Sequence, residues 1–217
     1  MKTLDTIIVV KKMNIYHRYI TVPFEYEKPK KFLESSDSFI NNFSHDDIQS
    51  DVLVWLSKYD LRISNVVEAF YTSASNKVSV PIHNDLTIKP GVRDAAKLNF
   101  TWGPSESKTR WWRVRDESKL IEIIHEDSGY NQGLRDAGII PDIDCHKCYS
   151  ANEEDLELVH EATIDKPSLL NVGQLHSTHN PNPTEDRWTL SLTLLTNDGK
   201  HLTFSDALHK FGELTYE

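Results

Sequence analysis

The chain has 217 residues, of which 38% are apolar and 26% charged, with five Trp, eight Tyr and eight Phe. This is the composition of a soluble globular chain of one domain, residues 1–217, long enough to bury a core, and it excludes intrinsic disorder. A net charge of -9 argues against broad, charge-driven nucleic-acid binding, and the longest N-terminal apolar run, Thr6 to Val10, is too short for a membrane span or a signal-peptide core.

In chain order, residues 4–10 read as a first strand and Arg18 to Val22 as another, ended by Pro23. Ser44 followed by Asp46 and Asp47 marks a helix start, and Ile48, Val52, Leu53 and Leu56 recur at helical spacing, which predicts a helix over about 45–58. Residues from about 1 to 60 thus form a helical and strand support. From Leu61 onward the period shortens toward two. Val66 to Tyr71 and Lys77 to His83 read as strands separated by the turn-like Ser73 to Asn76. Ala96 to Trp102 alternates, with Leu98, Phe100 and Trp102 opposite Lys97, Asn99 and Thr101, and Gly103-Pro104-Ser105 turns into a strand over about Thr109 to Arg115.

Glu117 to His125 fits either helix or strand. Residues from about 126 to 152, with Gly129, Gly133, Gly138 and Pro141, show no period and read as an inserted loop of the kind that covers active sites. Strands are expected again at Leu156 to His160, Ser168 to Val172 and Arg187 to Leu195. In the last, Trp188, Leu190, Leu192 and Leu194 share one face while Arg187, Thr189, Ser191 and Thr193 share the other, the pattern of a barrel wall whose inner side holds a ligand. A closing strand near Leu202 to Phe204 and a short helix over Ser205 to Phe211 end the chain.

The chemistry concentrates in two segments, Val80 to Asp85 and Leu170 to His176, the second followed by Arg187-Trp188-Thr189. His83 and Asp85, two apart at a strand end, project to the same side. With a distant imidazole they can hold Fe(II) on one face of an octahedron and leave three positions open for a bidentate 2-oxo acid and dioxygen. The far carboxylate of a dicarboxylic cosubstrate then needs a buried, two-pronged cation, which Arg supplies better than Lys. Arg187 is expected to face inward with Thr189, eleven residues after His176. His179 is a rival for the second imidazole, but it lies nearer the Asn180 to Pro183 loop, so His176 is preferred.

These residues resemble the Fe(II)- and 2-oxoglutarate-dependent oxygenases of the double-stranded β-helix, or jelly-roll, fold, and in wording they are most similar to small bacterial and phage members. The resemblance rests on Val80 to Asp85, Leu98-Asn99-Phe100, Thr109 to Trp112 and Ser168 to Trp188, and spans about residues 66–195. It implies a mainly β jelly-roll barrel with flanking helices. It assigns the metal and catalytic roles to His83, Asp85 and His176 and the 2-oxoglutarate anchor to Arg187, aided by Thr189, with Asn99 and Tyr71 as further cosubstrate contacts. Asp85 places the chain with the hydroxylating members rather than the halogenating ones. The implied activity is hydroxylation of a C–H bond in a small molecule or peptidyl side chain, with release of succinate and carbon dioxide.

Three other features carry competing readings. Cys145-His146-Lys147-Cys148, with His125 or His160, can assemble four zinc ligands, but one Cys pair without a second falls short, and two loop thiols in a reducing cytoplasm is the preferred reading. Lys108 to Arg115 mixes cations with aromatics, as single-stranded nucleic-acid grooves do, and fits equally an acidic-substrate site or an outer strand with solvated arginines. The alternatives to a small-molecule or peptidyl hydroxylase are therefore a nucleobase-modifying oxygenase and a non-catalytic jelly-roll binding module.

Overall fold

The computed structural model describes residues 14–30, 32, 40–85, 93–123 and 148–217. The expected strand at 4–10 and most of the expected loop at 126–152, with Cys145 and His125, lie outside the described residues.

Twelve strands are described: β1 (His17–Ile20), β2 (Ile40–Phe43), β3 (Leu61–Thr72), β4 (Ala96–Trp102), β5 (Lys108–Val114), β6 (Ile121–Ile123), β7 (Cys148–Ser150), β8 (Leu156–Ala162), β9 (Ser168–Asn171), β10 (Leu175–His179), β11 (Arg187–Thr196) and β12 (Thr215–Tyr216). All pair antiparallel. A seven-stranded sheet runs β12-β1-β9-β4-β11-β3-β2, a three-stranded sheet runs β10-β5-β8, and β6 pairs with β7. The fold is mainly β.

The large sheet has two unlike faces because its central strands alternate. Leu190, Leu192 and Leu194 of β11, Leu98 and Phe100 of β4, and Val67 and Ala69 of β3 point to one side and form the main core with the helix Ser50–Ser57 and the helix Phe204–Phe211. Val52, Trp55 and Leu56 supply the apolar stripe of the first helix, and Trp55 stacks on Phe211 of the second at 5.2 Å between centroids. Each such fully buried side chain contributes roughly 1.5–3 kcal/mol relative to exposure, so this face fixes the sheet. The opposite face is polar and turns toward the small sheet.

The helix at 45–58 is split: a 3-10 turn covers His45–Asp47 and the α-helix starts at Ser50. The Ser44 backbone N–H and hydroxyl both donate to the Asp47 carboxylate, at 2.7 and 2.9 Å, which closes the first turn. Asp60, at φ 56, then reverses the chain into β3, a left-handed position that Asp tolerates.

Several boundaries differ from the sequence reading. Lys77 to Ile82 is not a strand: a 3-10 turn at Ala74–Asn76 precedes it, and only His83 forms an isolated bridge. Cys148–Ser150, expected within the inserted loop, is a strand paired with Ile121–Ile123. Leu202 to Phe204 forms no closing strand, because Phe204 already opens the C-terminal helix, capped by the Thr203 hydroxyl accepting from the Asp206 N–H at 3.0 Å. β10 has no counterpart in the sequence reading, since its five residues, Leu-His-Ser-Thr-His, lack an apolar alternation. Pairing with β5 makes it a strand.

Two glycines are dictated by close approach. Gly103, at φ 139 between β4 and β5, would place a Cβ 2.9 Å from the Cα of Arg187. Gly173, between β9 and β10, would place one 2.6 Å from the Asp94 backbone nitrogen and 2.7 Å from the Arg93 carbonyl carbon.

Candidate metal centre

His83 and Asp85 reach the site from an extended segment that laces the two sheets together. His83 exchanges backbone hydrogen bonds with His176 of β10, His83 N–H to His176 O at 3.0 Å and His176 N–H to His83 O at 2.7 Å. Two residues on, the Asp85 N–H donates to Val172 O at 3.0 Å, just beyond β9, and the Cys148 thiol donates to the Asp85 carbonyl at 2.8 Å. The backbone at His83 and Asp85 is therefore fixed from the small sheet on one side and the large sheet on the other.

The side chains converge. His83, Asp85 and His176 each offer one donor atom, and these atoms lie within 4.8 Å of one another. Asp85 Oδ1 faces His83 Nε2 at 2.9 Å and His176 Nε2 at 3.4 Å. His83 Nδ1 lies 2.7 Å from the Pro81 carbonyl and His176 Nδ1 lies 3.0 Å from the Gln174 carbonyl. A carbonyl only accepts, so both Nδ1 atoms carry protons and both Nε2 atoms are the ones turned to the shared centre. Such hydrogen bonds to backbone carbonyls fix the tautomer and the ring orientation of a metal-binding imidazole.

The charges suit a cation. Burial alone would raise the Asp85 carboxyl, but the Lys97 ammonium at 2.7 Å, followed by the two imidazoles, holds it well below the usual range. Burial pushes His176 down to about 4, with His83 adding to the effect, so His176 is neutral at pH 7 with its Nε2 lone pair available. Burial also works against charge on His83, but the hydrogen bond and charge of Asp85 outweigh it and raise its pKa. A metal ion replacing that one proton would meet two imidazole nitrogens and a carboxylate oxygen, a donor set that fits Fe(II).

A cavity extends from this centre between the sheets, lined by residues of both, among them Asn99 and Thr189 of the large sheet and Thr109 and Thr178 of the small one. Arg187, which is 2% exposed, lines the same cavity. Arg187 Nη1 donates to Lys108 O at 2.9 Å and Nη2 to the Thr109 hydroxyl at 2.8 Å, while Nε, buried, has no hydrogen-bond partner among the described residues. Burial lowers its pKa to about 10, leaving it cationic at neutral pH. A buried guanidinium with an unpaired donor and, among the described residues, no carboxylate paired with it is arranged to receive an anion.

The other sequence candidates fall on both sides of the sheet. Thr189 and Asn99 line the cavity; Thr189 Oγ1 lies 3.3 Å from Thr101 Oγ1, and Asn99 Oδ1 accepts from the Ser191 hydroxyl at 3.0 Å. Tyr71 does not line it. Tyr71 is the Cα partner of Trp188 and its ring packs there at 4.6 Å, on the core face, whereas Phe70, opposite Thr189, takes the cavity position. Period-two alternation forces the choice. His179 is not brought to the centre either. It lies an odd number of residues from His176 on β10, and its pKa is lowered by burial and by Arg110 on the far side of the strand.

Lys97 and Glu68 belong to no motif in the sequence. Lys97 is 1% exposed and lies between the Asp85 and Glu68 carboxylates. Its signal was present: Lys97 shares a strand face with Asn99 and Thr101, so a face that reads as ligand-binding carries a lysine.

The cations of Lys108 to Arg115 have partners on or beside β8. Arg110 pairs with Glu161 at 2.5 Å and Arg113 with Glu157 at 2.7 Å across β5 and β8, and Arg115 donates to the Glu154 carbonyl at 3.2 Å. Trp111 is buried beside the cavity and Trp112 donates to the Ser177 hydroxyl at 2.9 Å. Cys148 and His160 are not brought together: Cys148 bonds to Asp85, and His160 stacks between Tyr16 and His17. Among the described residues, His83, Asp85 and His176 form the one group of three or more ligand side chains placed to hold a metal ion. No helix of the described residues is long and apolar enough to cross a membrane. No protein-family model, curated protein or solved structure matches the chain.

Proposed function

We propose that this protein is an Fe(II)- and 2-oxoglutarate-dependent dioxygenase of jelly-roll architecture that hydroxylates a C–H bond in a small molecule or peptidyl side chain. The observation that carries the reading is that one cavity is lined both by the His83–Asp85–His176 cluster and by buried Arg187, whose Nε has no hydrogen-bond partner among the described residues. The jelly-roll assignment is supported by the two antiparallel sheets that face each other across that cavity. When bound, iron and 2-oxoglutarate supply the oxidising chemistry, with succinate and carbon dioxide as co-products.

The chain's own residues bind, orient and shield. The Nδ1–H groups of His83 and His176 hold each ring on its backbone carbonyl, so that Nε2 stays aimed at the centre. Arg187, aided by the Thr189 hydroxyl, is proposed to take the far carboxylate of the cosubstrate. Phe70, Val80, Leu170 and Val172 line the cavity with apolar surface and limit water there. We place the protein in a reducing cytoplasm, a reading supported by the buried Cys148 thiol, which serves as a hydrogen-bond donor.

The test is formation of succinate from 2-oxoglutarate with and without Fe(II). Iron-dependent succinate that disappears in His83→Ala supports the reading. Turnover that survives His83→Ala sinks the site assignment, and a protein that binds neither iron nor 2-oxoglutarate is a binding module instead.

A further inference from the structure

The two oxygens of Asp85 do different things. Oδ1 faces the two histidines, at 2.9 and 3.4 Å, while Oδ2 is held by Lys97 Nζ at 2.7 Å. The Asp85 backbone is already fixed by Val172 and Cys148. What remains is rotation of the carboxylate, and the Lys97 contact removes it. Lys97 itself is clamped: it is 1% exposed, rises from β4 on the cavity side, and pairs on its other flank with Glu68 Oε2 from β3, with the Phe70 ring 5.9 Å from its nitrogen. β11 lies between β3 and β4 in the sheet, so Lys97 and Glu68 meet across it.

We propose that Lys97, seated by Glu68, is a positioning residue that limits Asp85 to one donor oxygen at the metal. The inference rests on the oxygenase reading. A carboxylate whose second oxygen is engaged by an ammonium would donate through one atom, so the protein would supply three donors and leave the remaining sites on the metal for cosubstrate and dioxygen. With Lys97 removed, Oδ2 is released to become a fourth protein donor and to compete with the bidentate 2-oxo acid. Glu68 offsets the positive charge that Lys97 brings to a cation site, so the contact orients the ligand without adding a net charge.

The experiment uses the Co(II)-loaded protein, titrated with 2-oxoglutarate and followed by its visible absorption. In the wild type the titration changes the spectrum and gives an affinity. Lys97→Met is expected to retain Co(II) but to show an altered spectrum before any cosubstrate is added, and at least a tenfold weaker affinity for 2-oxoglutarate. Lys97→Arg is expected to recover most of that loss. Glu68→Gln, which keeps the ammonium and loosens its seat, is expected to weaken 2-oxoglutarate by at least threefold, and it serves if Lys97→Met does not fold. A Lys97→Met or Glu68→Gln protein with the wild-type spectrum and affinity overturns the inference. A wild-type Co(II) protein whose spectrum ignores 2-oxoglutarate overturns the oxygenase reading itself, a separate outcome.

Discussion

His83 and His176 are paired through their backbones, each donating its N–H to the other's carbonyl at 3.0 and 2.7 Å, while their Nε2 atoms face the same carboxylate oxygen. Two ligands from distant parts of the chain are thus set by a sheet contact and not by the ion they would share.

The side chains should accordingly be separable from the fold. Losing an outer partner of a metal ligand already costs about 10–100-fold in affinity, so His83→Ala and His176→Ala should each weaken Fe(II) or Mn(II) by about 100-fold or more. Saturating metal at about 100 times Kd should stabilise the wild type by about 2.7 kcal/mol, a rise in melting temperature of roughly 5–10 °C, and neither variant should show it at the same concentration. The metal-free variants should melt near the metal-free wild type. Differential scanning fluorimetry across a metal series decides this.

Arg187 is maintained at a cost to the fold, since a buried guanidinium with an unpaired Nε has given up water without a counter-ion among the described residues. Arg187→Met should leave the ligand-free protein as stable as the wild type or more so. The same change should weaken 2-oxoglutarate roughly 10–150-fold, the equivalent of about 1.5–3 kcal/mol for a hydrogen bond to a charged group. Chemical denaturation and calorimetric titration read the two effects independently. A large loss of stability with unchanged cosubstrate affinity would show that Arg187 is structural.

His17 gives the fold an acid-sensitive seam away from the metal centre. Its ring stacks on Trp111 at 5.6 Å, and its Nδ1 faces both the Asn14 amide and His160 Nε2 at 3.2 Å, where it accepts as the neutral form. Burial first, then His160 and Arg18, lowers its pKa from 6.5 to about 4. The unfolded chain therefore takes up the proton at a higher pH than the folded one. The contribution of His17 is fully present above pH 6.5, is lost as pH falls toward 4, and changes no further below that. At 1.36 kcal/mol per unit the loss is on the order of 3 kcal/mol. His176 adds to the same slope, so the comparison is with His17→Phe: denaturant midpoints from pH 7 to 4 should fall less steeply in the variant than in the wild type.

Gly173→Ala tests how tightly the ligand strand is set against the large sheet. The added methyl would meet backbone of Arg93, Asp94 and Ala95 at 2.6–2.9 Å, and backbone cannot move aside as a long side chain can. Overpacking of this kind costs roughly 1–3 kcal/mol. Val172, the neighbour, accepts from the Asp85 N–H, so the displacement should also weaken metal binding. A variant with both stability and metal affinity unchanged would mean that residues 93–95 yield more easily than their contacts indicate.

What the sequence determined by itself is what depends on neighbours along the chain. Alternation in Arg187 to Thr196 sorted Arg187, Thr189 and Ser191 from Trp188, Leu190 and Leu192, and the cavity residues follow that sorting, because a strand's side-chain period is two whatever it pairs with. The same rule placed Asn99 with Lys97. It could not place Tyr71, since parity divides a strand into two faces without saying which is inward, and pairing with Trp188 settled that Phe70 faces the cavity. Nor could it decide between His176 and His179: β10 is short and polar, and its inward face was fixed by pairing His176 with the buried Trp111. The contacts of Lys97 with Asp85 and Glu68 were decided entirely by tertiary structure, because the energy that holds a buried lysine comes from carboxylates on other segments, which no local pattern of residues records.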